Sequence, residues 1–127
     1  MKKIGKILLC FFFISKIVFC GEAQRTTIKQ IFNNPDLFDK KEVIVEGTIS
    51  ELKMKISKAG NAYTTFSLID QNYNSINIFI WGHEKINRQR IKNGDYVEIK
   101  GIFNKVKYVG KYKFYNEIVA DDIRRKK

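Results

Sequence analysis

Residues 60–81 most constrain what this chain can fold into. Two runs there alternate side-chain character at every second position: Ala62-Tyr63-Thr64-Thr65-Phe66-Ser67-Leu68-Ile69 and Ile76-Asn77-Ile78-Phe79-Ile80-Trp81. A period of two belongs to a strand, whose successive side chains leave on opposite faces. The polar Asp70-Gln71-Asn72-Tyr73-Asn74-Ser75 stretch between them reads as a turn, so the two runs form a hairpin. On its second strand Ile76, Ile78 and Ile80 share one face, and Asn77, Phe79 and Trp81 share the other. If the isoleucines fill a core, a phenyl and an indole are left looking outward.

Similar runs lie on either side. Glu42 to about Met54 alternates Val43, Val45, Gly47 and Ile49 with polar neighbours, and Gly47 predicts a bend or bulge at a barrel corner. Tyr96 to Phe103 and Tyr112 to Ala120 complete a set of five strands, with Asn93-Gly94-Asp95 as a strong turn. The expectation is an all-β, five-stranded Greek-key barrel over residues 42–123. A short helix is predicted within Gly82–Lys92, between strands three and four. Another is predicted at Thr27–Phe32, where Thr27 and Gln30 fit a capping box and Ile28, Ile31 and Phe32 fall on one face. Pro35 stops it, because the residue before a proline is pushed out of the α region. Residues 24–41 then hold a short tether and this helix, and 124–127 form a basic tail.

Residues 1–23 read as an export leader. Lys2, Lys3 and Lys6 precede the apolar run Ile7–Ile14, which is too short to span a bilayer as a helix. Gly21-Glu22-Ala23 offers a cleavage site after Ala23. Alternatively, Ile17-Val18-Phe19-Cys20 resembles a lipobox, in which Cys20 would be acylated and tether the protein to a membrane. Either outcome places the protein in the periplasm or at the cell surface. Cys10 and Cys20 are the only cysteines, so the folded part has no disulfide framework and no thiolate metal site. Of the 24 basic residues four lie in residues 1–20 and all 13 acids lie beyond them, leaving the remainder a surplus of seven positive charges. Such a surplus suits a polyanionic partner as well as a solvated surface.

The pattern Val43-x-Val45-x-Gly47-x-Ile49, Tyr63-x-x-Phe66-x-Leu68-x-Asp70, Ile76-x-Ile78-x-Ile80, Gly94-Asp95-x-Val97-x-Ile99-x-Gly101 and Asn116-Glu117-Ile118-Val119-Ala120 resembles a known family. It is similar to the nucleic-acid-binding OB-fold domains of the tRNA-anticodon-binding type, which occur on synthetases, exonuclease subunits and small exported bacterial proteins. The resemblance implies a barrel whose second and third strands form the ligand face, flanked by two loops. Phe79, Trp81 and Tyr63 would stack on bases, with the hydroxyls of Thr65 and Ser67 beside them. Lys53, Lys55 and Lys58 in one loop, and Lys105, Lys107, Lys111 and Lys113 around the other, would follow phosphates, with Tyr108 and Tyr112 as further rings. The expected partner is single-stranded nucleic acid or another polyanion. The competing reading is an OB module that binds a protein or small ligand through the same face.

Signals for catalysis are poor. His83 is the single histidine, and Ser57, Ser67 and Ser75 lack a base in any recognisable order. Asp121-Asp122 reads as a strand interruption beside Arg124-Arg125. The expectation is a non-enzymatic protein with no cofactor and no metal.

Overall fold

The structure is a computed structural model that describes residues 22–126. Residues 1–21, which hold most of the expected leader with Cys10 and Cys20, lie outside the described residues. Among the described residues the elements run β1 (Gln24–Arg25), α1 (Ile28–Asn33), α2 (Pro35–Phe38), β2 (Glu42–Ile56), β3 (Ala62–Ile69), β4 (Ser75–Trp81), α3 (Glu84–Gln89), β5 (Tyr96–Val109) and β6 (Tyr112–Arg125). None of the described helices is long and apolar enough to cross a membrane.

The strands lie in the order β1-β2-β3-β4-β6-β5, and β2 pairs again with β5 to close the ring. Closure falls to β2 because its 15 residues serve two neighbours. Glu42–Thr48 pairs antiparallel with β5, and from Thr48 onward the strand pairs antiparallel with β3. Between Ser50 and Lys53 the ladder with β3 slips, and Glu51 takes a left-handed φ of 57°. The bulge therefore sits at Glu51-Leu52 and not at Gly47, where the sequence placed it. Gly47 serves close packing instead. A Cβ there would lie 2.8 Å from both the Ile69 carbonyl oxygen and Leu68 Cγ.

The alternation sorts side chains as the sequence requires. Val43, Val45, Ile49, Phe66, Leu68, Ile76, Ile78, Ile80, Val97, Ile99, Phe103 and Ile118 are all buried inside the ring. Each fully buried side chain of this size contributes about 1.5–3 kcal/mol. The capping box of α1 forms as expected, with Gln30 N donating to Thr27 Oγ1 and Thr27 N to Gln30 Oε1. Ile28 and Ile31 enter the core, but Phe32 stays 39% exposed, so the apolar face is narrower than its spacing implied. Pro35 ends α1 and also opens α2, since its fixed φ suits a first helical position.

Three further boundaries differ from the sequence expectation. The sheet has six strands, because Gln24–Arg25 is not a free tether: it runs parallel to β2 beside Val43 and Ile44. This covers the flank of β2 that β3, ending at Thr48, does not reach. The region 105–111 is not a loop. β5 continues to Val109 and returns through Gly110-Lys111 into β6, giving one long hairpin. The last strand runs on to Arg125, because Asp121-Asp122 does not interrupt it and Ile123 is buried. At the ladder slip between Lys100 and Gly101, β5 and β6 come so close that a Cβ on Gly101 would lie 2.3 Å from the Val119 oxygen. Gly101→Ala should therefore destabilise the fold by about 1–3 kcal/mol or more, read from denaturant midpoints.

Three acids, Glu46, Asp95 and Glu98, gather where the last described residues meet β1. Glu46 and Glu98 face each other across β2 and β5, a like-charged pair that needs cations. Arg25 reaches both, at 3.1 and 3.0 Å, while Arg124 lies 2.7 Å from Glu98 and Lys126 lies 3.0 Å from Glu46. Arg125 pairs with Asp95. Arg124, Arg125 and Lys126 are thus held in the fold. The Lys126 hydrogen bond draws the Glu46 carboxyl below its ordinary value, against burial. Burial pushes Glu98 upward, but Arg25 and Arg124 together outweigh it and leave it lowered. A carboxylate with a depressed folded-state pKa stabilises the fold above its unfolded value, and that contribution is lost as pH falls through the folded one. Thermal stability should fall as pH drops below the ordinary carboxylate value of 4.5. Glu98→Gln should flatten that dependence in melting curves recorded across the acid range.

Candidate nucleic-acid interface

The outward faces of β3 and β4 carry a continuous aromatic row. Register places Tyr63 opposite Trp81 and Thr65 opposite Phe79, so the rings meet on one face while Ile78 and Ile80 point into the barrel. Tyr63 and Phe79 stack with centroids 5.4 Å apart and planes 15° apart. Phe79 and Trp81 meet edge to face at 4.8 Å and 81°. Trp81 is 60% exposed, Tyr63 and Phe79 are half-buried, and Thr65 and Ser67 are partly exposed beside them.

His83 fixes this row, a role the sequence did not reveal. Its Nε2 lies 3.0 Å from both the Lys55 and the Tyr63 carbonyl oxygens. Two carbonyls can only accept, so Nε2 carries the proton and donates to both. The ring thereby ties the end of β4 to the β2–β3 hairpin at the residue that supplies the first ring of the row. Thr64 adds a bond from its hydroxyl to the Gly82 carbonyl.

The lysines part company in the fold. Lys53 and Lys55 are strand residues, not loop residues: they pair with Thr65 and Tyr63 and extend the aromatic row sideways across β2. Lys58 stands in the β2–β3 turn. Lys105 turns toward α2, where its Nζ lies 2.6 Å from Asp36, whose hydrogen bond raises the lysine pKa. Lys111 sits at the tip of the β5–β6 hairpin.

On that hairpin Lys107 pairs with Phe114 and Tyr108 with Lys113, adjacent pairs that present opposite faces. The first face turns to the aromatic row. Lys107 Nζ stands 3.8 Å from the Phe79 centroid, 5.8 Å from that of Phe114 and 2.7 Å from Glu117 Oε1. That last contact is an ion pair without hydrogen-bond alignment, since the buried Oε1 accepts no hydrogen bond. The second face holds Lys113 at 5.5 and 5.7 Å from the rings of Tyr108 and Tyr115, and the Tyr115 hydroxyl is the main cause of its raised pKa. Tyr108, Tyr112, Phe114 and Tyr115 are all exposed.

A cavity of about 430 Å³ lies elsewhere, lined by Arg25, Thr27, Ile44, Asp70 and Tyr96 among others. It shares no residue with the row. Among the described residues no three His, Cys, Asp or Glu side chains gather to hold a metal.

No protein-family model matches the sequence, and no curated protein is similar to it. Solved structures are similar in shape. A chain from the crystal structure of yeast Stn1 and Ten1 superposes with a TM-score of 0.62 at 12% identity, over 84% of this chain and 64% of that one. A chain described as an aspartyl-tRNA synthetase of Leishmania major gives 0.60 at 14%, over 87% of this chain and 22% of that one. This chain therefore spans less than two-thirds of either. Rim1, a mitochondrial single-stranded DNA binding protein of S. cerevisiae, gives 0.53 at 22%, over 70% of this chain and 97% of that one.

The fold is an OB barrel. The aromatic row occupies its β3–β4 face, and both hairpins that border that face are built of strand. Of the groups around the row, Phe114, Glu117 and His83 are not marked by the sequence as binding residues. A signal for Phe114 lies in the alternation of lysines and rings over Lys111-Tyr112-Lys113-Phe114. Removing the imidazole should leave the Tyr63 carbonyl short of its donor. His83→Ala should cost about 1 kcal/mol of stability, measured by denaturant unfolding.

Proposed function

We propose that this OB barrel binds single-stranded nucleic acid on the β2–β3–β4 face and performs no catalysis. One observation carries the reading: a chain of three rings in successive contact, ending in a 60% exposed indole, lies beside Lys53 and Lys55 on the same face. Unpaired bases offer π-faces to such rings, each contact being worth about 1–3 kcal/mol with little sequence preference. A duplex keeps those faces stacked inside itself, so the row favours single strands. The lysines add the non-specific, salt-sensitive attraction to phosphates. The likeness in shape to a single-stranded DNA binding protein supports this reading.

Export accompanies the proposal. The Lys2, Lys3 and Lys6 start and the Ile7–Ile14 run support delivery outside the cytoplasm. Cleavage after Ala23 and acylation of Cys20 differ in the mass of the mature protein. The exposed Val109 and Phe114, on the hairpin face that carries Lys107, favour a second reading in which the face takes a protein partner.

Fluorescence anisotropy with a labelled oligothymidylate separates the two. Binding should appear at low salt and weaken with a log–log slope of about −0.7 per neutralised phosphate. Trp81→Ala should reduce affinity by roughly 5- to 150-fold, the equivalent of about 1–3 kcal/mol. Absence of binding at low salt would favour the protein partner.

A further inference from the structure

Phe79 does not offer a free face. The Lys107 ammonium stands 3.8 Å above its ring centre, where a base would lie, and the lysine side chain is only 16% exposed. The same ammonium neutralises Glu117, a carboxylate only 6% exposed, whose buried Oε1 receives no hydrogen bond. One cation thus serves two clients, a ring face and a carboxylate. Pulling it away leaves both wanting: a bare ring, and a buried charge with no partner, which is costly.

We propose that Lys107 and Glu117 form a self-occupied nucleotide subsite, one that opens only to a ligand carrying an unpaired base and a phosphate together. This rests on the reading of the face as a nucleic-acid interface and narrows its ligand class. A base can take both of the ammonium's places, its ring over Phe79 and an N–H of its pairing edge toward Glu117. The phosphate then receives the released ammonium. No covalent bond changes, and each charged group keeps a partner. A polyanion without bases can attract Lys107 but leaves Phe79 uncovered and Glu117 unpaired. A duplex brings phosphates but keeps its faces and pairing edges engaged. Glu117 is therefore a specificity-determining residue, and Lys107 is the group it holds in place.

Two measurements test this with the full chain. In competition anisotropy, inorganic polyphosphate at equal phosphate concentration should fail to displace labelled oligothymidylate from the unaltered protein. Glu117→Gln should free the ammonium, raise polyphosphate affinity roughly tenfold and steepen its salt dependence by about one phosphate. In NMR spectra of the unaltered protein, the Lys107 side-chain resonances should start upfield, shifted by the Phe79 ring. They should return to ordinary lysine positions on saturation with oligothymidylate, but not with polyphosphate. Equal displacement by polyphosphate, or a Lys107 shift that survives saturation with oligothymidylate, would overturn the inference while leaving nucleic-acid binding intact. If oligothymidylate does not bind at all, the functional reading falls with it.

Discussion

The double pairing of β2 is the constraint on which the rest depends. A strand that bonds β5 over its first half and β3 over its second turns a sheet into a ring. That requires a change of direction, and the slip at Glu51-Leu52 comes just past Thr48, where the first partner ends and the second takes over. Two glycines then allow neighbouring backbones to approach more closely than any side chain permits. Once closed, the ring has one inside and one outside. Every alternating strand must commit its isoleucines to the former and its rings to the latter.

Charge is distributed with the same economy. Glu46, Glu98 and Asp95 gather beside the chain ends, where Arg25, Arg124, Arg125 and Lys126 neutralise them. Four cations are held there by three acids. Lys53 and Lys55 stand beside the aromatic row with no acid in ion-pair contact among the described residues. Net charge alone could not separate these two populations, because it counts a clasped arginine and a free lysine alike.

The barrel was legible because period-two alternation is a strong signal and a closed sheet leaves few ways to satisfy it. The outward placement of Trp81 followed from the isoleucines beside it. What escaped the sequence was governed by pairing between distant segments. Gln24–Arg25 has no strand character of its own and is placed by the open flank of β2 and by Glu46 and Glu98. Residues 105–111 looked like a loop because glycine, lysine and tyrosine gather there, yet register with Tyr112–Tyr115 carries the ladder through to the tip. The partnership of Lys107 with Glu117, and of His83 with two carbonyls, joins residues whose separation in sequence gives no hint of contact.

The parallel two-residue strand at the start of the fold guards more than it stabilises. Without it, the amides and carbonyls around Val43 and Ile44 would form a bare ladder on a chain already rich in extended segments. Such a ladder accepts any strand of matching length, including the same segment from another molecule. Gln24 and Arg25 thus seal an edge along which one copy of the chain would otherwise add strand to strand on another.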